Sequence, residues 1–346
     1  MRQRGLTTLE LCAVLALITI LALILLPIFG SSPAARRPPC QNNLKQWSLV
    51  MKMYSSEHEG AFPPMQVLCR RPDSTLDLQM AAGPSVCAVY PAYLTDVKIC
   101  LCPNSPMAEE HAKRIQEEGL AQSPRLVASG YQYLGWMLDN LKPCAPASTF
   151  PRLAALSDIG TVPDGNTLIP VQMGALLDAV LDPAHLAAED ALAVAADVDR
   201  DADLSSTAFP TSGNRGEAKI HRLHEGVERF IITDINNPGA SNMAQSVIWI
   251  MSDRMTMGGD GMRLNHVPPE KTRFQKVFGG CARSDSRPFF GGSNVLFLDG
   301  HVEFLRYIPI PGLDTMTPQQ AEQALQGANE PVLATVAAVI GAVGDV

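Results

Sequence analysis

Four aspartates alternate with other residues in one short segment, at Asp197, Asp199, Asp201 and Asp203. Carboxylate oxygens at alternate positions are typical of calcium-binding loops. The segment departs from the EF-hand pattern, because alanines stand at its sixth and twelfth positions, where glycine and glutamate are required. The pattern therefore leaves two interpretations open, a calcium site formed by these four carboxylates and a solvated acidic loop.

The eight cysteines are the second set of chemically reactive residues. This number suits an oxidising compartment better than the cytosol. Cys12 lies in an apolar run, so seven remain in the rest of the chain, enough for three disulfides at most. Cys100 and Cys102 are too close in sequence for a typical zinc knuckle, and no Cys/His set has the spacing of a zinc site. Disulfides are the favoured use of the cysteines.

Catalytic signatures are absent from the sequence: it has no nucleophile elbow, phosphate loop, zinc-protease motif or dinucleotide fingerprint. For His266 and His301 a structural role in a loop or hairpin is favoured over catalysis. The net charge of −8 and the pI near 5.4 argue against a nucleic-acid partner. We expect a protein that is not an enzyme and does not bind nucleic acid.

An apolar segment near the N-terminus is expected to place the rest of the chain relative to a membrane. Arg2 and Arg4 precede it, and residues 11–29 carry no charge. As a helix, residues 6–29 would be about 36 Å long, enough to cross a bilayer core of about 30 Å with some tilt. The preceding basic residues place the N-terminus in the cytoplasm and the remainder outside. Glu10 lies at the edge of this helix, where a carboxylate normally requires a partner.

The N-terminus resembles the signal of the type IV pilin and type II secretion pseudopilin superfamily. That signal consists of a short basic leader, a glycine (here Gly5), an apolar residue, Thr-Leu, a glutamate (here Glu10) and a long apolar run. The resemblance implies that a prepilin peptidase cuts after Gly5 and N-methylates Leu6. The new amino group of one subunit would then satisfy the Glu10 carboxylate of its neighbour during assembly. An ordinary signal anchor or signal peptide is the other interpretation of this segment.

Beyond the apolar run, an amphipathic pattern predicts a helix from Cys40 to His58. Its apolar face, which should pack on the head, consists of Leu44, Trp47, Met51 and Tyr54. The prolines within residues 30–39 predict a kink or break before this helix. Further along, residues 230–233 and 247–251 are apolar and β-branched enough for two buried strands.

Asp299-Gly300, between two apolar runs, predicts a β-hairpin. With these two residues as the turn, Phe297 would face Val302 and Val295 would face Phe304. Several segments resemble parts of a large-headed prepilin-type family. They are the hairpin, residues 222–238 and the segments around Cys40 and Cys102.

In that family a cysteine commonly occupies each of the places held here by Cys40 and Cys102. The resemblance therefore makes these two cysteines candidates for a disulfide. Some members of the pseudopilin superfamily bind calcium in the head. By this resemblance, calcium binding by the aspartate segment is a hypothesis.

These observations predict a pilin-like α+β fold, in which a long hydrophobic N-terminal helix packs on an antiparallel β-sheet head with inserted helices and loops. The expected organisation is a leader (1–5), a transmembrane and assembly helix (6–29), a helix continuation with a proline-rich break (30–58), an exported head (59–310) and a C-terminal tail (311–346).

The expected function is that of a pseudopilin subunit in the inner membrane, with a cytoplasmic N-terminus and a periplasmic or extracellular head. Its expected partners are the prepilin peptidase, the membrane and other pilin-like subunits, with which it would form a type II secretion or type IV pilus-like filament. No cofactor is expected apart from the calcium hypothesis. The alternative is a membrane-anchored periplasmic binding or hydrolytic domain that forms no filament.

Overall fold

The computed structural model describes residues 33–70, 76–105, 107–140, 143–152, 168–182, 184–185, 188, 190–232, 239–258, 261–264, 292–306 and 320. Gly5, Leu6, Glu10, the predicted membrane helix, His266 and most of the predicted tail lie outside these ranges. Within them, no helix is both long enough and apolar enough to cross a bilayer.

The described part of the chain has an α+β fold with antiparallel sheets. Its helices are α1 (Pro33–Glu57), α2 (Val86–Val89), α3 (Ala108–Glu118), α4 (Val171–Val180), α5 (Ala191–Val198) and α6 (Ala240–Gln245). Its strands are β1 (Met65–Arg70), β2 (Leu76–Pro84), β3 (Tyr131–Tyr133), β4 (Cys144–Pro146), β5 (Leu168–Pro170), β6 (Ala202–Asp203), β7 (Lys219–Ile220), β8 (Trp249–Asp253), β9 (Met255–Gly258), β10 (Gly261–Leu264), β11 (Gly292–Phe297) and β12 (Val302–Arg306).

The largest sheet has four strands in the order β12-β11-β8-β3, and every neighbouring pair in it is antiparallel. The remaining strands form antiparallel pairs, β1 with β2, β4 with β5, β6 with β7 and β9 with β10. The four-stranded sheet therefore joins segments that are far apart in sequence.

Helix α1 packs on this sheet through the face that the sequence predicted. Leu44 and Trp47 are fully buried, and Met51 and Tyr54 are at least nine-tenths buried. These side chains join a hydrophobic cluster that also includes residues of β3, β8 and β11. The prediction for this helix face is confirmed.

The predicted break is not found within the described part of the proline-rich segment, since α1 is helical from Pro33 and continues through Pro38 and Pro39. Pro33 lies among the first four residues, whose backbone N–H groups have no intrahelical acceptor, whereas Pro38 and Pro39, the sixth and seventh residues, each remove one intrahelical hydrogen bond. Packing of the following turns on the sheet favours the helix there.

A second hydrophobic cluster lies beside the first and is built on β1, β2, α4 and α5. Its large, almost completely buried members include Trp136, Phe150, Ile169, Met173 and Leu176. The described part of the chain thus has two adjoining hydrophobic cores.

The predicted hairpin is present as β11 and β12, but its register differs by one residue from the prediction. Leu296 pairs with Val302, and Asn294 pairs with Phe304. Because side chains alternate along a strand, this shift moves Phe297 to the face opposite Val302.

The cause of the shift is a loop of three residues instead of two. The Gly300 N–H donates to the Phe297 carbonyl over 2.9 Å, and the Phe297 N–H donates to the His301 carbonyl over 3.0 Å. Gly300 has a φ of +87°, the left-handed conformation that follows a type I turn in three-residue hairpin loops.

The two predicted strands had different outcomes. Residues 247–251 overlap β8, as expected. The prediction for residues 230–233 is wrong for its described part, because Val227–Phe230 is a 3-10 helix and no strand includes residues 231 and 232. There, Glu228 is buried and accepts hydrogen bonds from Ser241 and Gln245, which holds the segment in a compact turn.

Candidate functional site

The middle of α1 is attached to the segment that contains Cys100 and Cys102. The Asn43 side chain donates to the Leu101 carbonyl over 2.9 Å, and the Trp47 indole N–H donates to the Ile99 carbonyl over 3.1 Å. Two backbone acceptors of this segment are therefore satisfied by one face of the helix.

Cys40 of α1 and Cys102 lie against each other inside this contact. Their sulfur atoms are 3.0 Å apart, and both residues are fully buried. A disulfide bond requires about 2.05 Å between the sulfurs. The structure therefore brings together the two cysteines that the sequence analysis paired, and the disulfide itself stays a prediction.

Asp253 completes the cluster from the end of β8. A carboxylate oxygen of Asp253 and the two cysteine sulfurs all lie within 4.8 Å of one another. Asp253 is only 1% exposed, and its Oδ2 accepts hydrogen bonds of 2.7 Å from both the backbone and the side-chain nitrogen of Asn294. The neighbouring strand β11 thus fixes the orientation of this carboxylate.

The surroundings favour the neutral forms of the thiol groups. The hydrogen bond with Cys40, burial and the nearby Asp253 charge all raise the pKa of Cys102. Burial, followed by the charges of Cys102 and Cys40, raises the pKa of the Tyr131 phenol beside them. In the absence of a cation, burial therefore opposes negative charge on these thiols.

Gly130 allows the cysteine segment to approach the core. A Cβ atom placed on Gly130 would lie 2.3 Å from the Cys102 nitrogen and 2.6 Å from the Cys100 carbonyl oxygen. Both contacts are with backbone atoms, which cannot rotate away. A glycine at this position is therefore required for the observed position of Cys102.

The four aspartates, for which the sequence left a calcium site and a solvated acidic loop open, lie elsewhere, around α5, β6 and β7. Among the described residues, no three of their carboxylates come within 4.8 Å of one another. The structure does not assemble them into a single ligand shell. Each carboxylate is bonded to other groups of the protein instead.

Asp197 accepts hydrogen bonds from His185 Nδ1 over 2.7 Å and from the Arg200 guanidinium over 2.9 Å. Its hydrogen bond to His185 raises the pKa of that imidazole. Asp203 accepts from both the backbone N–H and the hydroxyl of Ser205, and these bonds lower the pKa of its carboxyl group.

Asp201 is the most extensively bonded of the four. Its Oδ2 lies 2.8 Å from Lys219 Nζ and 3.1 Å from His221 Nδ1, and its Oδ1 accepts from the Arg222 backbone N–H over 2.8 Å. Burial by itself would raise the pKa of Asp201, but the bonds from these three residues outweigh it and lower the pKa.

Arg222 links this acidic segment to other parts of the described chain. It is 8% exposed and donates to the carbonyl oxygens of Val198 and Phe62 over 2.9 Å each. It also forms an ion pair of 3.2 Å with Asp199 and lies over the Trp136 ring. These contacts make Arg222 a structural connection between α5 and the segment that joins α1 to β1.

His301 lies directly after the three-residue hairpin loop, where its carbonyl accepts from the Phe297 N–H. Its ring stacks on Phe297 with centroids 4.5 Å apart, and its Nδ1 is 2.5 Å from Asp299. These partners give His301 a structural role in closing the hairpin.

Comparison with known proteins found no match to a family model, to a curated protein or to a solved structure.

Proposed function

We propose that this protein is a pilin-like subunit that is processed by a prepilin peptidase, anchored in the inner membrane and assembled into a type II secretion or type IV pilus-like filament. The proposal combines the N-terminal sequence with the way in which α1 meets the head. The head lies on the periplasmic or extracellular side, and other pilin-like subunits are the partners.

The observation that carries the proposal is the direct succession of the processing motif, the apolar run and α1. Gly5, Leu6 and Glu10 have the spacing of a prepilin signal, and residues 11–29 are uncharged. Only three residues separate this run from the start of α1 at Pro33. The helix then packs one face along an antiparallel sheet, which suits a shaft that holds a head.

The outward face of α1 supports a role in assembly. Leu49 is 63% exposed and Met53 is 46% exposed, and they lie one helical turn apart on the side away from the sheet. Lys45 is exposed on the same face, one turn before Leu49. Covering the apolar surface of Leu49 and Met53 with a neighbouring subunit would remove it from water, which favours association.

Glu10→Ala in the organism's own copy of the gene tests the proposal, with Glu109→Ala as the matched control. Glu109 is exposed on α3, so its replacement makes the same change of charge in the head. We expect Glu10→Ala to leave cleavage after Gly5 intact and to abolish high-molecular-weight assemblies in sheared surface fractions. Assembly should be unchanged in Glu109→Ala.

Normal assembly of the Glu10→Ala variant would contradict the proposal. A protein that uses its N-terminus only as an anchor tolerates alanine there, because removing a charge from a membrane helix lowers the cost of insertion.

A further inference from the structure

Three segments of the chain meet at the buried cluster of Cys40, Cys102 and Asp253. Cys40 comes from α1, Cys102 from the segment after Val97–Cys100, and Asp253 from the end of β8. All three are at least 99% buried, and a ligand atom of each lies within 4.8 Å of those of the other two. Three donor atoms at this spacing could hold a metal ion.

The distance between the Cys40 and Cys102 sulfurs lies between the values for a disulfide and for two thiolates bound to one zinc ion. A disulfide would bring the Cys40 and Cys102 sulfurs to about 2.05 Å. Two thiolates on one tetrahedral zinc ion, at about 2.3 Å each, are about 3.7 Å apart. The observed 3.0 Å is within about 1 Å of both values, a change that side-chain rotation can supply.

We propose that Cys40, Cys102 and Asp253 form a redox-controlled site for a thiophilic divalent cation, Zn²⁺ in the first instance. In the reduced state both thiolates and the carboxylate bind the ion. In the oxidised state the same two sulfurs form a disulfide, and the ion is released.

The ligand chemistry supports zinc. Thiolate and carboxylate are both common zinc ligands, and three protein ligands are the number found in sites that keep one position for water. Asn294 holds the carboxylate through two hydrogen bonds of 2.7 Å, the kind of outer contact that orients metal ligands. The ion would compensate two of the three negative charges that burial otherwise opposes.

The conversion between the two states balances as a thiol and disulfide exchange. Binding of Zn²⁺ to the two thiols releases two protons. Oxidised glutathione then accepts two electrons: its sulfur bond breaks, the bond between Cys40 and Cys102 forms, and two glutathione thiols leave with two protons taken from water. Zn²⁺ returns to solution. Because both sulfurs are fully buried, the reagent reaches them during transient opening of the α1 contact.

The test uses the full chain in detergent, prepared in a reducing cytoplasm, treated with a phosphine reductant and freed of metal. Titration with Co²⁺, the spectroscopic substitute for zinc, should give one ion per chain with a thiolate charge-transfer band, and Zn²⁺ should displace it. Zinc should also protect Cys40 and Cys102 from alkylation, as mapped by peptide mass spectrometry. Oxidised glutathione should release the ion and yield a peptide that links these two cysteines.

Three variants assign the ligands. Cys102→Ser should abolish the thiolate band, and Asp253→Asn should keep the band while weakening Zn²⁺ binding at least about tenfold. Cys87→Ser, which alters an exposed cysteine, should bind like the unaltered chain.

The proposal is overturned if the reduced chain shows no thiolate band, if zinc does not protect the two cysteines, or if Asp253→Asn binds Zn²⁺ with unchanged affinity. The alkylation map is obtained on the unaltered chain, so it decides the question even if Cys102→Ser fails to fold.

Discussion

Leucine to alanine substitutions on the two faces of α1 test how the helix meets the head. Leu44 is fully buried against the four-stranded sheet, whereas Leu49 is 63% exposed on the same helix. The same atoms are removed at both positions, and the helix propensity changes equally. Any difference in stability therefore reports packing alone.

The expected magnitude follows from burial. Leu44→Ala removes three buried carbon atoms, whose transfer to water costs about 2.4 kcal/mol, and leaves a cavity that raises the total to about 3 kcal/mol. The unfolding equilibrium constant should rise on the order of 100-fold. Leu49→Ala should change the free energy of unfolding by less than about 0.5 kcal/mol.

Urea unfolding of the full chain in detergent, followed by far-ultraviolet circular dichroism, measures both values. Equal effects of the two substitutions, or a loss below about 1 kcal/mol at Leu44, would refute the packing of this face on the sheet.

Three further predictions concern the head. Arg222→Met should lower the free energy of unfolding by about 3 kcal/mol in urea titration, because it leaves two buried carbonyls unpaired. The control Arg200→Met changes a side chain that is 61% exposed, so it should lower the free energy of unfolding by less than about 1 kcal/mol. His185 has a raised pKa, so its bond to Asp197 stabilises the fold below the ordinary value of 6.5 and is lost as the pH rises through the raised value. The urea midpoint should therefore fall less between about pH 6 and pH 8 in His185→Gln than in the unaltered chain. Gly130→Ala should reduce stability by about 3 kcal/mol or more in thermal unfolding, because its Cβ would overlap backbone atoms.

Each of these predictions can fail independently. Similar losses for the two arginine variants would show that the buried carbonyls do not depend on the guanidinium. If the urea midpoint of His185→Gln depends on pH as it does in the unaltered chain, the ion pair with Asp197 does not contribute to stability. A Gly130→Ala variant of unchanged stability would contradict the close approach of the backbone at Gly130.

The hairpin shows what could and could not be predicted from the sequence. Asp299-Gly300 correctly indicated two antiparallel strands, because this dipeptide favours tight turns. The register depended on which loop position Gly300 occupies. Its φ of +87° fits the last position of a three-residue loop, and no local pattern separates that loop from a two-residue turn.

The face of α1 was predictable for a different reason. Leu44, Trp47 and Met51 recur with the helical period, and a period of apolar residues reports directly which side is buried. The 3-10 helix at Val227–Phe230 was missed, because a short apolar run does not distinguish a strand from a turn that is fixed by buried hydrogen bonds.

Both candidate sites depend on contacts between distant residues. The alternating aspartates had the spacing of a calcium loop, but Lys219, His221 and Arg222 from a later segment pair with two of their carboxylates. Cys40 and Cys102 are separated by 62 positions and were paired only through a family resemblance. Asp253 had no signal in the sequence, because it reaches the cysteines through the pairing of β8 with β3 and β11.

The most direct test of the pilin-like proposal is mass spectrometry of the intact protein and of its N-terminal peptide, purified from its native membrane. We expect the mature chain to begin at N-methylated Leu6, because Gly5 and Glu10 have the spacing of a prepilin signal. A chain that begins at Met1, or one cleaved near Ala35, would contradict prepilin processing and with it the proposed role as a filament subunit.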